Sequence, residues 1–282
     1  MAQIINTNMM SLNAQRNLAG TQGMLAQSVQ RLSTGLRVNS AKDDAAGLAI
    51  AERMNTQIRG MNVAIRNAND AISLAQTAEG ALAKIGDMGQ RMRELAVQSS
   101  NATNNTADRA ALDAEFQELS KEIKRTLEST NFNGTQLFSV TAALTFQIGA
   151  NATSNDTIVV DTAHLTAAKS FTDVIGAQGA AGTASITSVT AASAAMVALD
   201  TMLDAVNSAR AKFGATQNRF ESVINTLQIN AENQSAARSR IMDADFSKES
   251  AALTRSQVLQ QAGTAMLSQA NSLPNNVLSL LR

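Results

Sequence analysis

The chain has 282 residues, a formal net charge of zero, no cysteine, tryptophan or tyrosine, and a single proline. Neutrality without a basic run argues against an electrostatic nucleic-acid surface, and the lack of cysteine excludes disulfides and thiolate metal sites. Hydrophobic residues reach 44% with aromatics at only 3%, much of the remainder being alanine with 12 methionines, a composition suited to long helices packed at close range.

No stretch reaches the roughly 18 apolar residues of a membrane span, so membrane insertion is not expected. The first charge is Arg16, and no basic leader precedes a long apolar run, so no general secretory signal is read. A first helix is marked by seven-residue spacing: Leu18, Leu25 and Leu32 form one row, which extends back to Ile4, with Ile5 and Leu12 beside it. Val29 and Leu36 form a second row, giving one apolar stripe. Gly35 and the polar run at 37–44 predict its end and a non-helical connector. Asp43 and Asp44 in that run read as helix N-terminal caps rather than an acid pair.

A very long helix is predicted from about Asp44 to about Ser99, along Met54, Ile58, Met61, Ile65, Ala68, Ile72 and Ala75. Its row passes Leu82, slips in phase and resumes at Ile85, Met88, Met92 and Leu95. About 55 residues at 1.5 Å each span roughly 80 Å, which predicts a rod. After a polar turn at 99–109, a third helix begins near Asn105 or Thr106 with Leu112, Phe116, Leu119, Ile123 and Leu127 as its seam. The middle differs. Asn133-Gly134 suits a type I′ hairpin turn, "LTFQIGA" and "DTIVVDT" are β-like, and "GAQGAAGTAS" is a loop. Residues 131–188 therefore read as a small β and loop insertion.

Helix resumes near Thr190 with Leu199, Val206, Phe213, Phe220 and Leu227 at intervals of seven. A last helix begins near Asp245 with Ala252, Leu259, Met266, Leu273 and Leu280 in one row and Gly263, Ala270 and Val277 alongside, Leu281 closing it. Heptads sustained this far predict coiled-coil packing. Pro274 is expected to start or mildly kink the last turns. The fold class is thus mainly α: a long antiparallel coiled-coil rod with paired terminal helices and a small central β-hairpin insertion. Two striped helices alone are marginal, so other copies are expected to cover the terminal pair, and head-to-tail repetition of such a contact makes a filament.

Long stretches of this sequence resemble bacterial flagellin. They are "MAQIINTN" at 1–8, "RLSTGLRVNSAKDDAAGLAIAERM" at 31–54, "RNANDAISLAQTAEGAL" at 66–82, "QRMRELAVQSSN" at 90–101, "TNFNGTQLF" at 130–138, "GATQNRFESVINTL" at 214–227, and "RIMDADFSKESAALTRSQVLQQAGTAMLSQANSLPNNVLSLLR" at 240–282. The central region is short, as in a minimal flagellin. The resemblance implies a filament subunit for motility, exported by the flagellar type III apparatus and located on the extracellular flagellum. It implies five segments: 1–43 and 239–282 as the two halves of an inner-tube helical domain, 44–140 and 189–238 as the outer-tube rod, and 141–188 as a variable region. Partners implied are further copies of the chain, an export chaperone, the filament cap, the hook–filament junction proteins and the host Toll-like flagellin receptor.

The expected filament interface is Ile4, Ile5, Leu12, Leu18, Leu25, Leu32, Leu259, Met266, Leu273, Val277, Leu280 and Leu281. By the resemblance, Arg91, Leu95 and Glu115 match the positions that contact neighbouring subunits and the receptor, with Leu95 read as an exposed apolar hot spot beside Arg91. A solvated helix face with local ion pairs is the plain alternative for that segment. The lone His164 and absent cysteine leave no zinc protease set and no Ser/His/Asp site, so no catalysis, metal or cofactor is expected. A hook–filament junction protein, sharing the terminal seams, is the alternative function.

Overall fold

A computed structural model describes residues 7–139, 143–161, 164–176 and 184–278, with residues 161 and 273–278 as backbone only. Six α-helices dominate: α1 Met9–Thr34, α2 Ala45–Ser100, α3 Thr106–Ser129, α4 Lys169–Ile175, α5 Val189–Met242 and α6 Phe246–Leu278. Two antiparallel hairpins lie between the helical halves, β1 Asn131–Phe132 with β2 Thr135–Gln136 and β3 Ala143–Gln147 with β4 Thr157–Asp161. The chain divides into two compact units, residues 1–56 with 232–282, and residues 57–231.

In the first unit, α1 opens on Asn8, whose side chain accepts from the Ser11 N–H. It closes on Gly35 at φ 71°, a left-handed cap that favours glycine. Past the cap, the Ala244 N–H donates to the Gly35 carbonyl at 2.9 Å and the Arg37 N–H to that of Met242 at 2.6 Å. Of the two adjacent aspartates expected to cap a helix, only Asp44 does so, and Asp43 closes the turn before it. Asp43 gathers the Ser40 hydroxyl and the Ser40 and Asn39 N–H groups, which hold its carboxyl below the usual range. Asp44 accepts from the Gly47 N–H at 2.8 Å at the start of α2. Val38, Ala51 and Met242 make a small core beneath this connector.

The second unit holds the main core. On α2, Met61, Ala64, Ala68, Ala71, Ala75, Ala78, Leu82 and Ile85 are all buried, in alternating steps of three and four. The expected phase slip is absent. Alanines fill the positions where larger residues had been sought, and the row continues through buried Gly89 to Met92. A β-carbon at Gly89 would lie 2.9 Å from the Met202 side chain, so only hydrogen fits there without displacement. The facing row on α5 is Ala192, Ala195, Leu199, Met202, Val206, Ala209, Phe213 and Phe220. By length and composition alone, α5 contains a stretch able to cross a membrane, contrary to the sequence reading, because alanine and methionine accumulate there. Leu199, Met202 and Val206 nevertheless belong to this core.

The central segment joins the same core. Asn133 and Gly134 have φ of 48° and 80°, as the type I′ turn requires. Phe146 of β3 meets Phe220 edge to face with ring centres 5.8 Å apart. The Asn67 side-chain amide donates to the Gln147 carbonyl at 3.0 Å. The short helix α4, read from sequence only as loop, buries Phe171, Val174 and Ile175. Seven residues are too few for a helical period to stand out beside a glycine-rich stretch. At α3 the turn is built as expected, by a capping box of Asn105 and Asp108. Arg109 reinforces it by donating to the Ser99 and Asn101 carbonyls at the end of α2.

Gly60 is a tight seat for the β3–β4 connection, since a β-carbon there would lie 2.7 Å from Ala150 Cβ and 3.0 Å from its Cα. Gly60→Val is therefore expected to lower stability by about 1–3 kcal/mol, the usual range for overpacking. Denaturant unfolding followed by circular dichroism measures it, and an unchanged midpoint would refute the docking.

Candidate assembly surface of the terminal helices

Helices α1 and α6 pack antiparallel. Asn8 meets Ala270 and Ser11 meets Asn271 at one end, Leu18 reaches Gly263 in the middle, and Arg31 stands 3.9 Å from Glu249 at the other. The covered face of α1 is Ser11, Ala14, Leu18, Thr21, Leu25, Ser28 and Leu32, and that of α6 is Leu253, Ser256, Gln260, Gly263, Leu267 and Ala270. Both follow three–four spacing, the signature of a coiled-coil seam. The residues most deeply covered are small: Ser11, Ser28, Ser256 and Ala270.

This reverses part of the sequence reading. Leu18, Leu25 and Leu32 do face the partner helix, half-buried. Of the α6 row at Ala252, Leu259 and Met266, only Ala252 is partly covered, and the row does not form the seam. The adjacent row at Ser256, Gly263 and Ala270 takes that place, because small side chains let the helix axes approach. Leu259 and Met266 lie exposed, Met266 at 65%. Leu12 is likewise exposed, with Met9, Met10, Met24, Val29 and Val258. Leu273 and Val277 fall on the α6 backbone, while Ile4, Ile5, Leu280 and Leu281 lie outside the described residues. Nor does Pro274 begin a helix, since α6 continues through it to Leu278.

The outcome is a helix pair whose most deeply covered residues are small, with Leu18, Leu25, Leu32, Leu253 and Leu267 half-buried beside them and many other large apolar residues outside. An apolar groove runs along one side, walled by Met10, Ala14 and Leu18 from α1 and by Leu259, Gly263 and Met266 from α6. Soluble monomers rarely expose apolar surface in this way. The spacing signal for the true seam was present in the sequence, but it lay in serine, glycine and alanine.

The second candidate surface lies in the 57–231 unit. Arg91 donates through Nε to Glu115 at 2.9 Å and through Nη1 to Glu94 at 3.0 Å, all three side chains about half exposed or more. Arg93 is paired with Asp200 at 2.6 Å, which depresses that carboxyl. Leu95, however, is 1% exposed and belongs to the same cluster as Met92, Ala96 and Phe116. It is a core residue, not an accessible hot spot, because it lies in step with the buried face of α2.

The profile of the bacterial flagellin N-terminal helical region matches residues 5–143, and that of the C-terminal helical region matches residues 196–281. The chain belongs to the bacterial flagellin family. It is 46% identical to a flagellin of Halalkalibacterium halodurans across 99% of this chain and 100% of that one. It is 40% identical to the flagellar filament 33 kDa core protein of Treponema phagedenis, over 99% and 100%. Among solved structures, the crystal structure of Bacillus cereus flagellin matches with a TM-score of 0.50 and 31% identity, covering 61% of this chain and 94% of that one. As a short flagellin, the chain belongs to a family of structural proteins of the flagellar filament.

The two environments on α2 separate cleanly by experiment. Leu95→Ala should destabilise this flagellin by about 2–5 kcal/mol, as core truncations do. Arg91→Ala, removing exposed pairs, should cost no more than about 1 kcal/mol. Urea unfolding of the two variants measures the contrast, and similar losses would contradict the assignment.

Proposed function

We propose that this flagellin polymerises through its terminal helix pair, with further copies of the chain covering the apolar side chains that α1 and α6 leave outside. The observation carrying this reading is the inverted pair itself, which buries Ser11, Ser28, Ser256 and Ala270 and exposes Met10, Leu12, Leu259 and Met266. Repetition of one such contact head to tail does not close and yields a filament. In this reading 1–43 and 239–282 form the inner tube, 44–140 and 189–238 the outer tube, and 141–188 the variable face. The subunit is secreted through the flagellar type III apparatus, attended by an export chaperone, a cap and hook–filament junction proteins.

Seeded growth of purified subunits tests the proposal. Leu259→Ser with Met266→Ser is expected to stop filament elongation while leaving the unfolding of the 57–231 unit unchanged, and truncation after Leu273 should do the same. Normal filaments from either variant would refute it. A hook–filament junction role is disfavoured by the identity to flagellins over nearly the full chain. Short, non-propagating oligomers from the unmodified chain would instead support that role.

A second reading concerns the exposed Arg91, Glu94 and Glu115 group. The resemblance supports recognition of the unassembled subunit by the host Toll-like flagellin receptor, with Arg91 and Glu115 in contact and Leu95 holding their helix in place. Arg91→Ala with Glu115→Ala should lower receptor-reporter signalling at least about tenfold, since central charged anchors dominate such interfaces. Equal signalling from a folded double variant would exclude it.

A further inference from the structure

With no cysteine, tryptophan or tyrosine, the chain offers an oxidant little besides its 12 methionines. A thioether is soft, and it is oxidised readily where solvent reaches it. The described methionines divide sharply by position. Met9, Met10 and Met24 on α1 and Met266 on α6 are between 51% and 66% exposed. Met61, Met92, Met202 and Met242 are buried. The remaining described ones, Met54, Met88 and Met196, are partly covered.

All four exposed methionines thus stand on the terminal helices, among the side chains that further copies are proposed to cover. Met10 and Met266 wall the apolar groove along α1 and α6. Their exposure does not require the two helices to be paired in the free subunit, because separating the helices only uncovers the side chains further. A flexible, polarisable thioether suits a surface that fits against neighbours. Its sulfoxide does not. The S–O group is strongly polar, and its oxygen is costly to bury without a donor.

We propose that Met9, Met10, Met24 and Met266 are oxidative modification sites, and that their conversion to sulfoxides by hydrogen peroxide stops a subunit from joining a filament. In each step the thioether sulfur takes one oxygen atom from the peroxide, whose O–O bond breaks. The sulfur loses two electrons, and the peroxide is reduced to water. Two thiols, acting through a sulfoxide reductase, reverse the step and leave a disulfide and water. The vulnerable form is the free subunit, since neighbouring copies shield these sulfurs in a filament. The inference rests on the assembly reading and adds a chemical condition to it.

Hydrogen peroxide treatment of the full-length, unassembled chain, followed by peptide mass mapping, tests the assignment. The four sites are expected to convert at least about tenfold faster than Met92 and Met202. Once all four are sulfoxides, seeded elongation should fall at least about tenfold, and the two methionine sulfoxide reductases should restore it. A variant combining Met9→Leu, Met10→Leu, Met24→Leu and Met266→Leu keeps the apolar volume, and peroxide should change its elongation by less than about twofold. Equal conversion of the buried methionines, normal elongation of the fully oxidised chain, or equal inhibition of the leucine variant would overturn the proposal. Should the leucine variant not elongate untreated, reductase rescue of the oxidised unmodified chain decides, and no rescue overturns the proposal. Peroxide treatment of finished filaments separates this inference from the reading beneath it. Conversion of the four sites at the free-subunit rate would mean that no copy covers them, which sinks the assembly reading and the inference together. Slow conversion in filaments with unimpaired elongation of oxidised subunits would sink the inference alone.

Discussion

Close approach of long helices through small side chains is the constraint on which both units depend. In the 57–231 unit, alanines at 64, 68, 71, 75 and 78 alternate along α2 with few larger residues, and α5 presents Ala192, Ala195 and Ala209 among its leucines and phenylalanines. Small residues bury little area each, roughly 25 cal/mol for every Å² removed from water. The deficit is offset by length, since one buried row runs along α2 from Met61 to Met92. The same constraint explains why aromatic residues are scarce and where they occur. Phe116, Phe138, Phe171 and Phe220 sit where α3, α4 and the hairpin connections widen the packing beyond two helices.

The terminal pair follows this logic further, with a different result. Serine, glycine and alanine bring α1 and α6 together beside half-buried leucines, leaving Met10, Leu12, Leu259 and Met266 on outer faces. In a self-contained domain that arrangement wastes apolar surface. Here it separates two rows: one holds the pair together, and the other is the exposed surface on which the proposed assembly rests. The charged pairs on α2 complement this division. Arg91 with Glu115 and Arg93 with Asp200 are exposed and of low value for stability, so they can change without endangering the core.

Much of this was legible in the sequence where periodicity ran long. The close of α1 at Gly35, the start of α3, the Asn133-Gly134 turn and the heptads of α5 through Leu199, Val206, Phe213 and Phe220 all follow from spacing and turn chemistry. What spacing could not weigh was size. A reading that seeks large residues assigns Leu259 and Met266 to the seam and invents a phase slip in α2, because Ser256, Ala71 and Ala78 carry little hydrophobic signal. Leu95 was misread for a related reason. Its neighbours Arg91 and Glu94 are exposed, but a one-residue step around a helix turns the face by about 100°, and only the facing residues decide which side is covered. The Asn8–Ala270 bond is invisible to any local pattern, since its partners are 262 residues apart.

The hydrogen-bonding partners along the second unit also order its folding in time. Arg91 and Arg109 find partners within 24 residues, so α2 and α3 can nucleate on each other as soon as both exist. Asp200 lies 107 residues from Arg93, and Gln217 lies 138 from its partner Glu79. Closing those loops costs entropy before it returns contact energy. A flagellin chain delivered from its N-terminus therefore has no complete core to form until α5 has arrived. Its own topology leaves that core unfinished until the second half of the chain is made.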